Sequence, residues 1–281
     1  MSNLPRKTID DLKARYFLEP ILRDVYVEGV FDKDILSSWY RKNESDDTVV
    51  YNIDIVDISE DILKKHSLTD GNKQRVIALA KELGGMGSKS YSCLVDRDLE
   101  HWFGQLEEIP RLLWTEYCSL ELYYFSEQII KEILIDVTKA KISTKEWQGF
   151  YSSFVNVLKV FYSMRLADFE CKLCQSWMDV DKFLVKKSNV ISFDYALYIE
   201  RNLHKNGFIK HKQEFIDLVN IWFVKLDGDP RLYIRGHDFV KLLTWSVKGF
   251  KGISDYHSEK VIERLFLYYP QNIDGLLIAL K

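Results

Sequence analysis

Short apolar runs alternate with segments of helical periodicity through the first 125 residues. Residues 33–40 and 72–83 carry apolar side chains three and four positions apart, the spacing of one helix face. Four apolar runs predict strands: one ending at Glu28, then 48–56, 91–95 and 111–115. Strands that alternate with helices are typical of a parallel sheet with right-handed crossovers. The pattern therefore predicts an α/β domain over residues 1–125.

Only helical spacing continues beyond that point. Val155, Leu158 and Phe161 repeat along one helix face, and Leu218 and Trp222 do the same further on. We therefore expect residues 126–281 to form a mostly helical domain that serves dimerisation, partner binding or substrate binding. Breaks between its helices are predicted at three polar or glycine-containing stretches, 188–192, 206–207 and 227–230.

Two acidic clusters follow the first and third predicted strands. Glu28 and Asp32 make up the first, and Asp96 and Asp98 the second. Because the carboxyl ends of parallel strands meet at one edge, the four carboxylates should converge in the crevice where open α/β sheets bind ligands. Their mutual repulsion calls for a cation, and hard oxygen ligands suit Mg²⁺ or Mn²⁺. Metal-dependent phosphoryl transfer is the chemistry that this arrangement predicts.

Individual roles follow from position. We assign Glu28 to bridging metal or activating water, and Asp96 and Asp98 to holding metal with support from Asp32. Lys89 is a candidate for binding the substrate phosphate. The alternative interpretation is that it is an ordinary loop lysine exposed to solvent.

Composition and charge bear on the partners and the cellular compartment of the chain. The 281 residues are 47% hydrophobic and 29% charged, with a net charge of −3, so the chain lacks the basic footprint usual for nucleic-acid binding. Bound divalent cations would reverse the sign of the acidic crevice. Neither a membrane-spanning run nor a signal-peptide core is visible, and four cysteines suit a reducing compartment. We expect a cytoplasmic protein without a membrane partner.

The order of the acidic residues resembles that of a known domain. A glutamate after the first core strand and an Asp-x-Asp after a later one are similar to the TOPRIM domain of topoisomerases, primases and overcoming-lysogenization-defect (OLD) nucleases. The match places Glu28, Asp96 and Asp98 at the metal-binding positions, with the glutamate also a general acid or base. The spacing of Glu28 and Asp32 looks most like the nuclease branch.

A second stretch narrows the resemblance. Ser119-Leu120-Glu121 and the residues after it are similar to a segment that follows Asp-x-Asp in a TOPRIM-like family, which includes the AriB effectors of PARIS anti-phage systems. Leu122 departs from the family, which often has Asn there. Glu121 is equally a further metal ligand or the partner in a structural hydrogen bond.

The resemblance implies a magnesium-dependent endonuclease that acts as a toxic antiviral effector. It further implies cleavage of RNA, tRNA in particular, inhibition by a partner ABC-type ATPase of the AriA kind, and a homodimer.

Other functions stay open at this point. The chain is alternatively a DNA-cleaving TOPRIM nuclease or a non-catalytic interaction subunit of a defence complex. An unrelated Asp-x-Asp phosphatase or glycosyltransferase is disfavoured, because such a phosphatase has its nucleophilic Asp where this chain has Glu28. The glycine-rich stretch 84–90 has Gly-Ser-Lys where a P-loop needs Gly-Lys-Ser/Thr, so ATP hydrolysis by this chain itself is not expected.

Overall fold

The computed structural model describes residues 6–43 and 47–280, and its contacts divide the chain into two compact units. The first unit is Met1–Leu120 together with Phe266–Lys281, and the second is Glu121–Leu265. The sequence predicted the division at residues 125 and 126, without a return of the chain end to the first unit.

A parallel sheet of four strands forms the centre of the first unit. The strands are β1 (Arg23–Val27), β2 (Thr48–Asn52), β3 (Tyr91–Val95) and β4 (Leu112–Trp114). They lie in the order β2-β1-β3-β4, and every neighbouring pair is parallel. The helices that precede and connect them are α1 (Ile9–Leu18), α2 (Val30–Lys42), α3 (Glu60–Lys65) and α4 (Asn72–Gly84). The predicted α/β fold class is confirmed.

Burial explains why the strands could be read from the sequence. All five residues of β3 are buried, as expected for a strand covered on both faces, and such strands are continuous apolar runs. Helix α4 packs on β3 and presents an apolar face. The core between helices and sheet includes Leu12, Tyr26, Val76, Leu79, Leu83 and Cys93.

The second unit is mostly helical, as predicted. Its helices are α5 (Glu127–Lys131), which continues as a π-helical turn (Glu132–Val137), α6 (Trp147–Cys171), α7 (Tyr195–Lys205), α8 (Lys212–Lys225), α9 (Gly236–Gly249) and α10 (Glu259–Leu265). The long helix α6 packs against α8, α9 and a β-hairpin. Within 6–43 and 47–280, no helix is long and apolar enough to cross a membrane.

The β-hairpin was not predicted. Its strands are β5 (Leu184–Lys187) and β6 (Val190–Phe193), which pair antiparallel. The predicted break between helices at 188–192 does lie between α6 and α7, and these residues form the hairpin turn and most of β6. Ser188 sits in that turn with φ of +55°, a left-handed conformation.

The last helix, α11 (Asp274–Leu280), belongs to the first unit. The indole nitrogen of Trp39 donates to Asp274 Oδ1 at 2.6 Å, and Lys42 Nζ donates to the Leu267 carbonyl at 3.1 Å. These bonds tie the chain end to α2. Short 3₁₀ turns complete the chain at Ile53–Ile55, Glu100–Phe103, Leu120–Tyr124, Thr144–Glu146, Asp181–Phe183, Ile209–His211, Pro230–Leu232, Ser254–Tyr256, Phe266–Tyr268 and Pro270–Ile273.

Candidate active site at the carboxyl edge of the parallel sheet

Glu28 lies directly after β1, at the carboxyl edge of the sheet. Its Oε1 accepts a hydrogen bond from the backbone N–H of Asp96 at 2.8 Å, which joins the edge of β1 to that of β3. Its own carbonyl accepts from Asn72 Nδ2 at 2.8 Å. The sequence prediction that the two acidic clusters meet at this edge agrees with this direct bond.

The protonation of Glu28 reflects its surroundings. Burial raises the pKa of this carboxyl to about 8, and the charges of Asp98 and Asp32 act in the same direction. The Asp96 N–H and the Lys73 ammonium oppose the shift. A carboxyl with a pKa near neutrality at a sheet edge is typical of functional sites.

Asp32 has a structural task as well as a charge. It lies in the first turn of α2, where its Oδ2 accepts the backbone N–H of Gly29 at 3.0 Å. This bond satisfies a helix N-terminal donor and fixes the turn that carries Glu28.

The Asp-x-Asp loop is held by the segment after β4. Asp96 Oδ1 accepts the backbone N–H of Leu120 at 3.1 Å, and the Asp98 N–H donates to the Cys118 carbonyl at 2.7 Å. Asp98 has φ of +40°, which is uncommon for a residue with a side chain and marks a strained turn. These bonds fix the backbone of both aspartates at the carboxyl edge.

Lys73 is the site residue that the sequence did not reveal. Its Nζ donates to Asp98 Oδ2 at 2.6 Å and to Glu100 Oε1 at 2.9 Å, and its side chain is only 12% exposed. Burial alone would lower the Lys73 pKa, but Asp98 and Glu100 raise it above the ordinary value. Because α4 leads into β3, its N-terminus lies at the carboxyl edge, and Lys73 is its second residue. A lysine in the first turn of the helix that precedes β3 was therefore the feature of the sequence that could have indicated Lys73 as a site residue.

Lys89 has no part in this site. It lies two residues before β3, at the amino edge of the sheet, and it is exposed. The solvated-loop interpretation of Lys89 is therefore the correct one, and the role of steadying a phosphate passes to Lys73 as a candidate.

Glu121 belongs to the second unit, where it is 6% exposed. Its Oε2 has no hydrogen-bond partner among the described residues. Burial and the charge of Glu121 raise the pKa of Glu263 in the same unit. Its assignment as a further metal ligand stays a prediction.

The fit of these residues to a divalent cation rests on their chemistry. Glu28, Asp96 and Asp98 supply only oxygen atoms, the ligands preferred by Mg²⁺ and Mn²⁺. Within the part of the chain that the structure describes, no three His, Cys, Asp or Glu side chains are grouped closely enough to hold a metal ion. The ammonium of Lys73 is the positive charge beside Asp98. The donor atoms are thus of the kind that a divalent cation prefers, but in this arrangement they are not grouped as a metal site, and the Lys73 ammonium occupies the place beside Asp98.

A cavity of about 360 Å³ opens beside the acidic edge. Glu100, the second partner of Lys73, forms part of its wall. Gln74 and Gln105 add amide groups, and Ile77 and Trp114 add apolar surface. The lining is about equally polar and apolar and includes a second carboxylate, Glu107, so it is more polar than that of most small-ligand pockets.

Comparison with models of known protein families gave no match, and no curated protein matches the chain either.

Proposed function

We propose that this chain is a metal-dependent endonuclease that hydrolyses phosphodiester bonds of RNA. One observation carries the proposal: Glu28 Oε1 accepts the Asp96 N–H at 2.8 Å, and Asp98 and Asp32 lie close enough for their charges to add to burial, the main cause, in raising the pKa of Glu28 to about 8. Clustered carboxylates at this edge of a parallel sheet are suited to binding cations and phosphate esters.

Glu28, Asp96 and Asp98 would hold Mg²⁺ or Mn²⁺. The metal supplies, when bound, stabilisation of the negative charge that develops at phosphorus. Glu28 Oε1 is engaged by the Asp96 N–H, so its Oε2 is the atom that would accept a proton from the attacking water. Lys73 Nζ, once it leaves Asp98, would donate to a phosphate oxygen of the substrate.

The choice of substrate and partner rests on the resemblance to the AriB-type family. We accordingly propose tRNA as the RNA that is cut, a cytoplasmic antiviral role as a toxic effector, inhibition by an ABC-type ATPase of the AriA kind, and a homodimer. The cavity bounded by Gln74 and Trp114 has the lining and volume to take a nucleobase next to the acidic edge.

The test is a cleavage assay with purified protein. Wild type, Glu28→Ala and Asp98→Asn are each incubated with total tRNA, mRNA and supercoiled plasmid in Mg²⁺, Mn²⁺ or chelator. We expect cleavage of tRNA by wild type in either metal, and loss of cleavage with chelator or with either variant. Glu19→Ala, which removes an exposed carboxylate after α1, is the matched control and should cleave normally. Cleavage of plasmid alone would replace RNA by DNA as substrate.

A second candidate is a non-catalytic subunit that uses the α/β unit for assembly. The pairing of Lys73 with Asp98 and Glu100 favours it, since a satisfied ion cluster also serves a purely structural purpose. The two candidates differ in cells that also make the ATPase partner. Toxicity or defence that survives Glu28→Ala, with folding intact by circular dichroism, would support the assembly role and end the catalytic proposal.

A further inference from the structure

Phe250 follows helix α9 in the second unit and is fully buried. Its carbonyl accepts the backbone N–H of Lys141 at 2.6 Å, and Lys186 Nζ lies 4.3 Å from the centre of its ring. Lys186 belongs to β5 of the hairpin. One aromatic residue thus anchors lysines from two distant chain segments at the end of α9.

Three more lysines join these two. Lys248 and Lys251 flank Phe250 in the chain, and the Lys251 N–H donates to the Lys248 carbonyl at 3.2 Å. Lys139 arrives with Thr138, whose carbonyl accepts the N–H of Ile253 at 2.8 Å. We call this set the lysine cluster: Lys139, Lys141, Lys186, Lys248 and Lys251.

The lysine cluster is exposed, and its members are not engaged in ion pairs with described residues. All five side chains are exposed, and among the described residues none of the five forms an ion pair. The Lys248 charge acts through space on the carboxyl of Asp181, whose ion pair is with Lys241 at 4.0 Å. Glu146, near the hairpin turn, bonds Asn189 instead of a lysine. Five like charges on one surface, in a chain of net charge −3, favour an anionic partner.

We propose that the lysine cluster binds the phosphate backbone of a nucleic acid, and we choose RNA because of the proposed function. Lysine ammonium groups meet phosphates as point charges, and such contacts set affinity without reading sequence. Phe250 is buried beneath Lys186 and offers no face for base stacking. The binding should therefore depend strongly on salt and weakly on sequence.

The experiment measures binding apart from cleavage. Fluorescence anisotropy follows a labelled tRNA transcript in chelator, with Glu28→Ala as the background so that no RNA is cut. Lys141→Gln with Lys186→Gln should reduce the slope of log K against log salt by about 2, or one for each phosphate contact removed. The affinity that is lost between 50 and 200 mM salt should then be about 16-fold smaller than for the background protein.

Two control pairs test the origin of the effect. Lys141→Arg with Lys186→Arg keeps both charges and should retain the salt slope. Lys210→Gln with Lys225→Gln removes the same charge from the turn before α8 and from its last residue, where both lysines are exposed, and should also leave the slope unchanged. Thermal unfolding confirms that each variant is folded.

The outcomes separate this inference from the proposed function. An unchanged slope in the glutamine pair, or an equal change in the α8 control pair, would overturn the lysine cluster whatever the cleavage assay shows. Tighter, cluster-dependent binding to phosphatidylserine vesicles than to tRNA would replace nucleic acid by a membrane surface. Cluster-dependent RNA binding by a protein that cuts no substrate would uphold the inference while the nuclease proposal fails.

Discussion

Replacing Glu28 by Gln should change how the stability of the metal-free protein depends on pH. Gln keeps the shape of the side chain and an oxygen that accepts the Asp96 N–H at 2.8 Å, but it takes up no proton. Burial raises the pKa of Glu28 from 4.5 to about 8, so between these values the folded state holds a proton that the unfolded state has released. By linkage, stability is greatest at low pH and falls as the pH rises through this window.

The size of the effect follows from the two pKa values of Glu28. Integration of proton uptake between pH 5 and pH 8 gives a loss of about 3.5 kcal/mol in the free energy of unfolding, at 1.36 kcal/mol for each pKa unit. The Lys73 ammonium already opposes this shift, and its contribution is included in the value of about 8. Glu28→Gln lacks this loss, so the variant should be the more stable protein at pH 8.

Urea unfolding in chelator at pH 5, 6, 7 and 8 measures the difference between wild type and Glu28→Gln. Taking the difference cancels the titration of the other groups that the two proteins share. Parallel curves, with a gap that changes by less than about 0.5 kcal/mol between pH 5 and 8, would refute the argument that burial holds a proton on Glu28. Adding Mg²⁺ should stabilise wild type most at pH 8, because a bound cation favours the ionised carboxyl.

Three further changes test other contacts. Lys73→Met leaves the partly buried carboxylates of Asp98 and Glu100 without their ammonium partner and should lower the free energy of unfolding in chelator by about 2–3 kcal/mol. Adding Mg²⁺ should restore the stability of this variant, and a failure to do so would count against metal binding. Arg165 holds the partly buried carboxylate of Asp238 through two bonds of 2.8 Å, so Arg165→Met should cost about 2–3 kcal/mol in urea unfolding, and a loss below about 1 kcal/mol would contradict a stabilising pair. Gly252→Ala would place its Cβ 2.8 Å from a backbone oxygen and should lower the unfolding free energy by about 1–3 kcal/mol. Gly275→Ala is the control, because the space around Gly275 is open and the substitution should cost little. Equal shifts in the thermal unfolding temperature of the two variants would contradict the steric argument.

The fold class could be predicted because the sheet is buried on both faces. Tyr91–Val95 was predicted as a strand and is one, since a short run that is apolar except for Ser92 and lies before an acidic turn is typical of a buried strand in an α/β chain. The second predicted strand is shorter than expected. Its apolar pattern continues through Ile53–Ile55, which form a 3₁₀ turn, and periodicity alone does not separate a buried strand from a buried turn.

The hairpin was missed for a related reason. Only Leu184 and Ile191 are well buried in its two strands; Phe193 is half-buried against Phe161 of α6, and the residues of β5 after Leu184 are exposed. Two apolar anchors in ten residues give too weak a pattern of period two. The return of the chain end to the first unit was equally invisible, because the bond between Trp39 and Asp274 joins residues 235 positions apart.

Lys73 shows which part of the candidate site depends on the fold. A lysine in the first turn of a helix reads as a solvated residue, and its neighbours in sequence give no reason to think otherwise. Its partners Asp98 and Glu100 are 25 and 27 positions away, and only the packing of α4 beside β3 brings the three together. The acidic positions could be predicted from strand ends, whereas the charge that balances them could not.

That balance bears directly on the proposed chemistry. A cluster of carboxylates must be neutralised for the chain to fold, and here a proton on Glu28 and the ammonium of Lys73 do so without a metal. Both would be exchangeable under the proposed function: a divalent cation held by the same oxygens would favour the ionised Glu28 and compete with the Lys73 ammonium, which could then donate to a substrate phosphate. A cluster that serves only to hold the fold together need not exchange its proton or its ammonium for a metal. A Mg²⁺-dependent loss of the pH dependence of wild-type stability, absent in Glu28→Gln, would therefore favour the nuclease over the assembly subunit even before a substrate is found.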